Sequence, residues 1–181
     1  MKIKLKLAFS IFFSMLLATG GFAQEAKKKD NQKALVTKNG DTIPARFGKI
    51  NDFEKLFTAA ETEELQQLVN NFELESGIEI DVLTVDTSQV SSDKLESFVV
   101  AFGNKWSTEK KDGKKRIVIG FSRGHRKIRI ANNDEIAELI TDKETKTIIE
   151  KEIIPHFKKD GYYKGTIAGL KAMIGLLKDK N

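Results

Sequence analysis

From Ile78 to Phe121 the chain passes from an alternating, β-branched run to a helical stripe and back to a short apolar run, and this order restricts the fold more than any other feature. Ile78 to Val85 has the two-residue period of a strand. Asp93 to Trp106 sets Leu95, Phe98, Val99, Phe102 and Trp106 on one stripe, which predicts a helix with one buried face. Arg116 to Phe121 is almost wholly apolar, as expected of a strand covered on both faces. A strand–helix–strand unit closes through a right-handed crossover that lays its helix on the sheet. The last helices then need the opposite face.

The flanking segments complete the pattern. Thr58-Ala59-Ala60-Glu61 is a capping box ahead of Leu65, Leu68, Val69 and Phe72 at helical spacing, and Gly77 supplies a left-handed stop. After the turn Ser122-Arg123-Gly124-His125, residues Lys127 to Ala131 return as a strand with Ile128 and Ile130 on one side and Lys127 and Arg129 on the other. Glu135 to Ile140 predicts one or two helical turns. Thr141-Asp142-Lys143-Glu144 is a second capping box, opening a helix expected to end at Pro155. A last helix from Tyr162 carries Ile167, Leu170, Ile174 and Leu177, with Gly165, Gly169 and Gly175 open to core packing or a close backbone approach. The expected fold is α/β, a three-layer α/β/α sandwich with a small mixed β-sheet. A fourth strand is sought between residues 34 and 50. There Asn39-Gly40 is a hairpin signal between Leu35-Val36 and Thr42-Ile43, and Pro44 limits the second strand to an edge.

The first 23 residues have a different composition. Lys2, Lys4 and Lys6 form a basic start, Leu7 to Leu17 an apolar run, and Gly21 and Ala23 stand where a signal peptidase reads small residues. The run is short for a bilayer span, which needs about 20 residues. Retention as an anchor is the alternative to cleavage. Residues 1–23 are therefore expected to be a signal peptide, 24–47 a flexible polar lead-in and 48–181 the domain, with a periplasmic or secreted location. With no cysteine to acylate, a lipid-modified leader is excluded. The net charge of +5 comes from 31 basic and 26 acidic residues; without the leader's three lysines it is 28 against 26, or +2. Nucleic acid is accordingly not an expected partner. Cleavage leaves 158 residues, enough to bury a core without disulfides.

No His/Cys metal cluster, nucleophile elbow, phosphate loop or dinucleotide fingerprint is present. Acidic residues stand at element ends: Asp52 before the first helix, Asp112 before the Arg116 strand, Asp134 after the Lys127 strand, and Asp142 at a helix start. The hairpin sends one strand away from Asp112 and brings the next back, so Asp134 returns to the same sheet edge. Clustered carboxylates call for a cation or a shared proton, and oxygen-only sets suit calcium or magnesium. Each also has a structural use: Asp112-Gly113 as a turn, Asp134 as an N-cap, Asp142 as a first-turn acid. Lys110, Lys111, Lys114, Lys115, Arg116, Arg123, Arg126, Lys127 and Arg129 crowd the hairpin. They suit either a charged, aggregation-resistant strand edge or a surface for anionic lipid or phosphate.

Ile43-Pro44, Ile50-Asn51-Asp52-Phe53, Gly77 to Val85, Phe102-Gly103-Asn104-Lys105-Trp106 and Asp112-Gly113 form an ordered series of motifs. Arg126 to Ile130, Leu139-Ile140-Thr141-Asp142, Ile154-Pro155-His156-Phe157 and Tyr162-Tyr163-Lys164-Gly165 extend it. The series resembles the TPM domain, the family of thylakoid-lumen and photosystem II repair proteins, many bacterial exported proteins and a worm receptor modulator. The resemblance implies an α/β/α sandwich, divalent-cation binding by aspartates at one sheet edge, and a weak acid-phosphatase activity as in plant members. Asp52, Asp112 and Asp142 match its acidic positions. Its glycine-rich turn is replaced here by Asn132-Asn133-Asp134-Glu135, which removes the close backbone approach a phosphate uses but leaves oxygens for a cation. The reading from sequence is an exported accessory or interaction domain of the cell envelope. Asp52, Asp112, Asp142, Asp134 and Asn132 would bind Ca2+ or Mg2+, and the chain would act as a monomer on envelope membrane proteins. The alternative is a metal-assisted acid phosphatase acting on phosphomonoesters.

Overall fold

The computed structural model describes residues 35–36, 42–110 and 115–180; the leader and Asp112 lie outside the described residues. Four strands form the main sheet in the order β3-β4-β5-β6: β3 (Ile50–Asp52), β4 (Glu79–Thr84), β5 (Arg116–Ser122) and β6 (Lys127–Asn132). The first three are parallel and β6 is antiparallel to β5. The fourth strand sought from sequence is β3, too short to show a period of its own. Ahead of it, β1 (Leu35–Val36) pairs antiparallel with β2 (Thr42–Ile43) in a separate two-stranded ribbon.

One face of the sheet carries α2 (Leu95–Lys110). Its stripe of Leu95, Phe98, Val99, Phe102 and Trp106 is buried against Leu83, Val85, Val118 and Ala131. The helix lies so close that a Cβ on Gly120 would stand 2.3 Å from a Val99 methyl. The other face carries α1 (Ala59–Ser76) and α6 (Tyr162–Lys180), with Leu65, Val69, Phe72, Leu170, Met173 and Leu177 over Ile80, Val82, Ile117, Ile119 and Ile130. This is a three-layer α/β/α sandwich with a mixed sheet. Thr58 and Glu61 close the expected capping box on α1, and Gly77 ends it at φ 72°.

After β6 come α3 (Asp134–Ala137) and α4 (Asp142–Ile148), the latter opened by the Thr141–Glu144 capping box. The expected break at Pro155 does not occur. Residues Ile149–Ile153 form a π-helical segment that leads into α5 (Ile154–Phe157). The wider i→i+5 bonding shifts the register ahead of the proline. Pro155 then falls in the first turn of α5, where its missing N–H costs nothing. Gly165 and Gly169 let α6 approach this segment: Cβ atoms there would meet Phe157 and Ile153 at 2.6 Å.

The alternation in β4 conceals a difference from a simple polar-out strand, since all six of its residues are buried. Glu79 and Asp81 share the α2 face with Leu83. Glu79 is held by Arg46, Lys49 and Arg116, and Asp81 by Arg46. Arg46 also lies 4.9 Å over the Trp106 ring. Residues placed in the lead-in by their composition thus reach the core, where Ile43 is buried as well. Among the described residues no helix is long and apolar enough to cross a membrane.

Candidate functional site

The carboxyl ends of the parallel strands bring together loops that β3, β4 and β5 each extend, the place where open α/β sheets hold ligands. Asp52 closes β3. Its two oxygens accept from Thr84 Oγ1 at the end of β4 (2.7 Å) and from the Phe57 N–H ahead of α1 (2.8 Å). Two residues on, Glu54 accepts from the Arg123 N–H (2.8 Å) and the Gly124 N–H (3.3 Å), with Ser122 Oγ at 3.5 Å. Two carboxylates therefore fasten the β3 loop to the β4 end and to the β5–β6 turn. His125 Nε2 lies 2.8 Å from the Val90 carbonyl, which ties the turn to the loop after β4.

Beside this turn is a recess of about 450 Å3, lined by Ser122, Arg123, Arg126, Lys127, Ile128, Ile154, Phe157, Lys158, Asp160 and Tyr162. Its wall is aromatic: Tyr162 stacks on Phe121 at 6.3 Å with an 8° interplanar angle, and packs on Phe157 at 4.9 Å. Lys127 turns its ammonium to the Ser92 carbonyl (2.8 Å). Partial burial raises the Tyr162 phenol pKa, Asp160 and Glu54 raise it further, and Arg123 and Arg126 oppose them. The phenol thus stands among both signs of charge.

The structure does not bring the expected cation ligands among the described residues to one point. Asp52 pairs across the sheet with Thr84, and Thr84 with Phe121, whereas Asn132 pairs with Ile117. Four residues along β5 and three strand spacings separate the two positions, roughly 20 Å, against metal–oxygen bonds of about 2.3–2.6 Å. Asp134 follows Asn132 at the start of α3, at the amino-terminal end of the parallel strands. Asp142 also lies at that end. Glu144 of its capping box meets Lys180 (2.6 Å), and neighbouring Lys178 meets Glu75 (2.7 Å), just ahead of β4. The expected convergence of Asp52 with the others is corrected on this geometry. A β-strand that runs into a helix ends at the carboxyl edge, while one preceded by a loop begins at the opposite edge. The described residues contain no group of three or more His, Cys, Asp or Glu side chains able to hold a metal.

What the amino-terminal end does offer is an oxygen without a partner. Asn132 Oδ1 is buried and accepts no hydrogen bond, and Asn132 lines a cavity of about 30 Å3 with Gly103, Asn104, Arg116 and Asn133. Asn133 secures the neighbouring backbone, accepting the Arg116 N–H on Oδ1 (3.0 Å) and donating its own N–H to the Arg116 carbonyl (3.1 Å).

A family model for the TPM domain matches residues 50–176, the whole sandwich from β3 into α6. The chain belongs to the TPM domain family. Among curated proteins none matches it. Solved structures share the fold, among them these three. The N-terminal domain of a protein from P. gingivalis is 20% identical, with a TM-score of 0.64 over 72% of this chain and 82% of that one. The BA42 protein of the psychrophilic bacterium Bizionia argentinensis is 18% identical, with a TM-score of 0.56 over 71% and 86%. The N-terminal domain of the cg2496 protein of Corynebacterium glutamicum is 10% identical, with a TM-score of 0.52 over 82% and 88%.

In this TPM domain the sequence reading located Arg123, Arg126 and Lys127 as hairpin cations but missed Glu54, Lys158, Asp160 and Tyr162 as their neighbours. Asp160-Gly161 is a turn signal, and it was available. Which end of the sheet that turn reaches depends on the unbroken passage through Pro155, and local rules predict a break there.

Proposed function

We infer that this TPM domain is exported, remains in the cell envelope as a monomeric accessory domain for membrane proteins, and holds a divalent cation at the amino-terminal end of its parallel strands. The observation that supports the cation is the buried, partnerless Oδ1 of Asn132, since an uncompensated buried oxygen costs about 1–3 kcal/mol. Asp134, two residues on, supplies a charged oxygen donor at the same end, and Asp112 precedes β5 by only four residues. A cation there would supply charge balance and stability. Asp52 has no part in this set, because it stands at the opposite end of the sheet, roughly 20 Å from Asn132. The phosphatase alternative is not supported by this arrangement, since Asp52 stands at the opposite end of the sheet from Asp134 and Asp142. Export is supported by the basic start, the apolar run and the small residues before Ala23.

Calorimetry with calcium and with magnesium tests the cation. A saturable heat is expected, with a rise in melting temperature worth about 2.7 kcal/mol at a hundredfold excess over the dissociation constant. Asp134→Asn and Asp112→Asn should shrink that rise and Asp52→Asn should not. The absence of a saturable heat, or an equal rise in sodium chloride of matched ionic strength, would remove the cation. A chain that begins at Gln24 in the envelope fraction is expected; a full-length cytoplasmic product would remove the export.

A further inference from the structure

The recess at the carboxyl ends of the strands combines features that the cation reading leaves unused. Arg123, Arg126 and Lys158 line its rim, all three exposed, and none forms an ion pair with a described residue. The carboxylates nearby are Asp160 at the rim, Glu54, whose oxygens accept from the turn amides, and Asp86, which is near enough to Arg123 to feel its charge but is itself held by Ser88. The positive end of the α6 dipole opens beside Asp160 and Tyr162. Below the cations the floor is apolar and half-buried, made by Ile128, Ile154 and Phe157.

Two lining residues hold costly backbone. Arg126 at φ 52° and Asp160 at φ 56° are left-handed without being glycine, and Lys55, the remaining case among the described residues, lies on the β3 loop at the same end. Such strain gathers where side chains are needed for function. In the β5–β6 turn a glycine would hold the same conformation at lower cost. An arginine there is explained by what its side chain reaches.

We propose that this recess binds the headgroup of an acidic phospholipid, with the phosphodiester and its charge among Arg123, Arg126 and Lys158 and the first methylenes of the acyl chain on Ile128, Ile154 and Phe157. Charge complementarity selects an anion. The apolar floor and a volume of about 450 Å3, within the usual range for organic ligands, select an anion on an apolar body over a bare ion. The proposal deepens the envelope reading above, because it gives the domain a surface that faces the membrane. Binding to vesicles and location in the cell are measured separately, so either can fail alone.

The test is co-sedimentation of the purified chain with phosphatidylcholine vesicles, with and without phosphatidylglycerol. Binding is expected only with phosphatidylglycerol, weakening as salt is raised. Arg126→Gly should lower the affinity roughly fivefold, as should Lys158→Ala, and Asp160→Asn should raise it by a similar factor. Lys171→Ala, which removes an exposed cation from α6 away from the recess, should leave it unchanged. Arg126→Gly must also melt no lower than the parent, which separates lost binding from lost fold. Equal loss from Lys171→Ala would reduce the effect to net charge and overturn the proposal. So would binding of glycerophosphoglycerol, the headgroup without acyl chains, as tight as that of the vesicles. Equal binding to pure phosphatidylcholine would overturn it too.

Discussion

The two ends of the parallel strands treat charge in opposite ways. At the amino-terminal end Glu79 and Asp81 are fully buried, and Arg46, Lys49 and Arg116 are folded around them. At the carboxyl end Arg123, Arg126 and Lys158 stand exposed around a recess, while Asp52 and Glu54 accept hydrogen bonds from backbone and hydroxyl donors. Charges that neutralise one another inside a core hold elements in register. Charges left at the rim of a recess, on a backbone that pays for their placement, are available to something outside the chain.

The largest expected effect lies in the buried knot. Glu79→Ala would leave three cations without their shared carboxylate, and breaking a buried ion pair from one side costs about 3–5 kcal/mol. Denaturant unfolding should register that loss, whereas Arg123→Ala at the other end should stay within about 0.5 kcal/mol of the parent. If the two variants unfold alike, the contrast between the ends is gone.

Asp81 sharpens the same contrast through pH. Burial lifts its pKa from 3.8 to about 6, assisted by Glu79 and opposed by Arg46 and Lys49. A group whose folded pKa is raised binds its proton more tightly in the folded state. Its contribution is therefore complete below about pH 4 and is lost as pH rises through about 6, a change of roughly 2–3 kcal/mol. Asp81→Asn, which does not titrate, should gain stability relative to the parent across that window. A difference between the two melting curves that does not change with pH would refute the assignment.

Glu54→Ala probes the carboxyl end at a smaller scale. Hydrogen bonds to a charged acceptor contribute about 1.5–3 kcal/mol, but the Arg123 and Gly124 amides are exposed and water can replace much of that. A loss of about 1 kcal/mol is expected, with faster hydrogen exchange at those two amides. Unchanged exchange would mean that Glu54 does not fasten the turn.

Much of the scaffold was legible because it depends on local chemistry. The Leu95–Trp106 stripe, both capping boxes, the Gly77 stop and the β5–β6 hairpin follow from period and turn residues, and all are present. Three features were not legible. β3 has only three residues, so its direction came from pairing with β4, and with it the placement of Asp52 opposite Asn132. The burial of the polar positions of β4 has no local signal, because their partners Arg46 and Lys49 lie 33 and 30 residues from Glu79. The π segment absorbed a proline that local rules treat as a stop. In each case a contact distant in sequence outweighed a local preference.

The smallest effect tests whether the carboxyl end carries strain for a purpose. A non-glycine residue in the left-handed region costs about 1–2 kcal/mol, and a glycine there brings about 0.5–1 kcal/mol of added unfolded-state entropy. Lys55→Gly and Arg126→Gly, at φ 54° and 52°, should therefore each stabilise the fold by about 0.5–1 kcal/mol. Asp160→Gly should gain less, because aspartate tolerates this conformation better than lysine or arginine. Chemical denaturation resolves shifts of this size when the slope is unchanged. A gain at Arg126 together with lost vesicle binding would show stability given up for a side chain at the recess. A loss of stability at Arg126 would mean that its side chain supports the turn, and the strained residues would then belong with the structural end of the comparison.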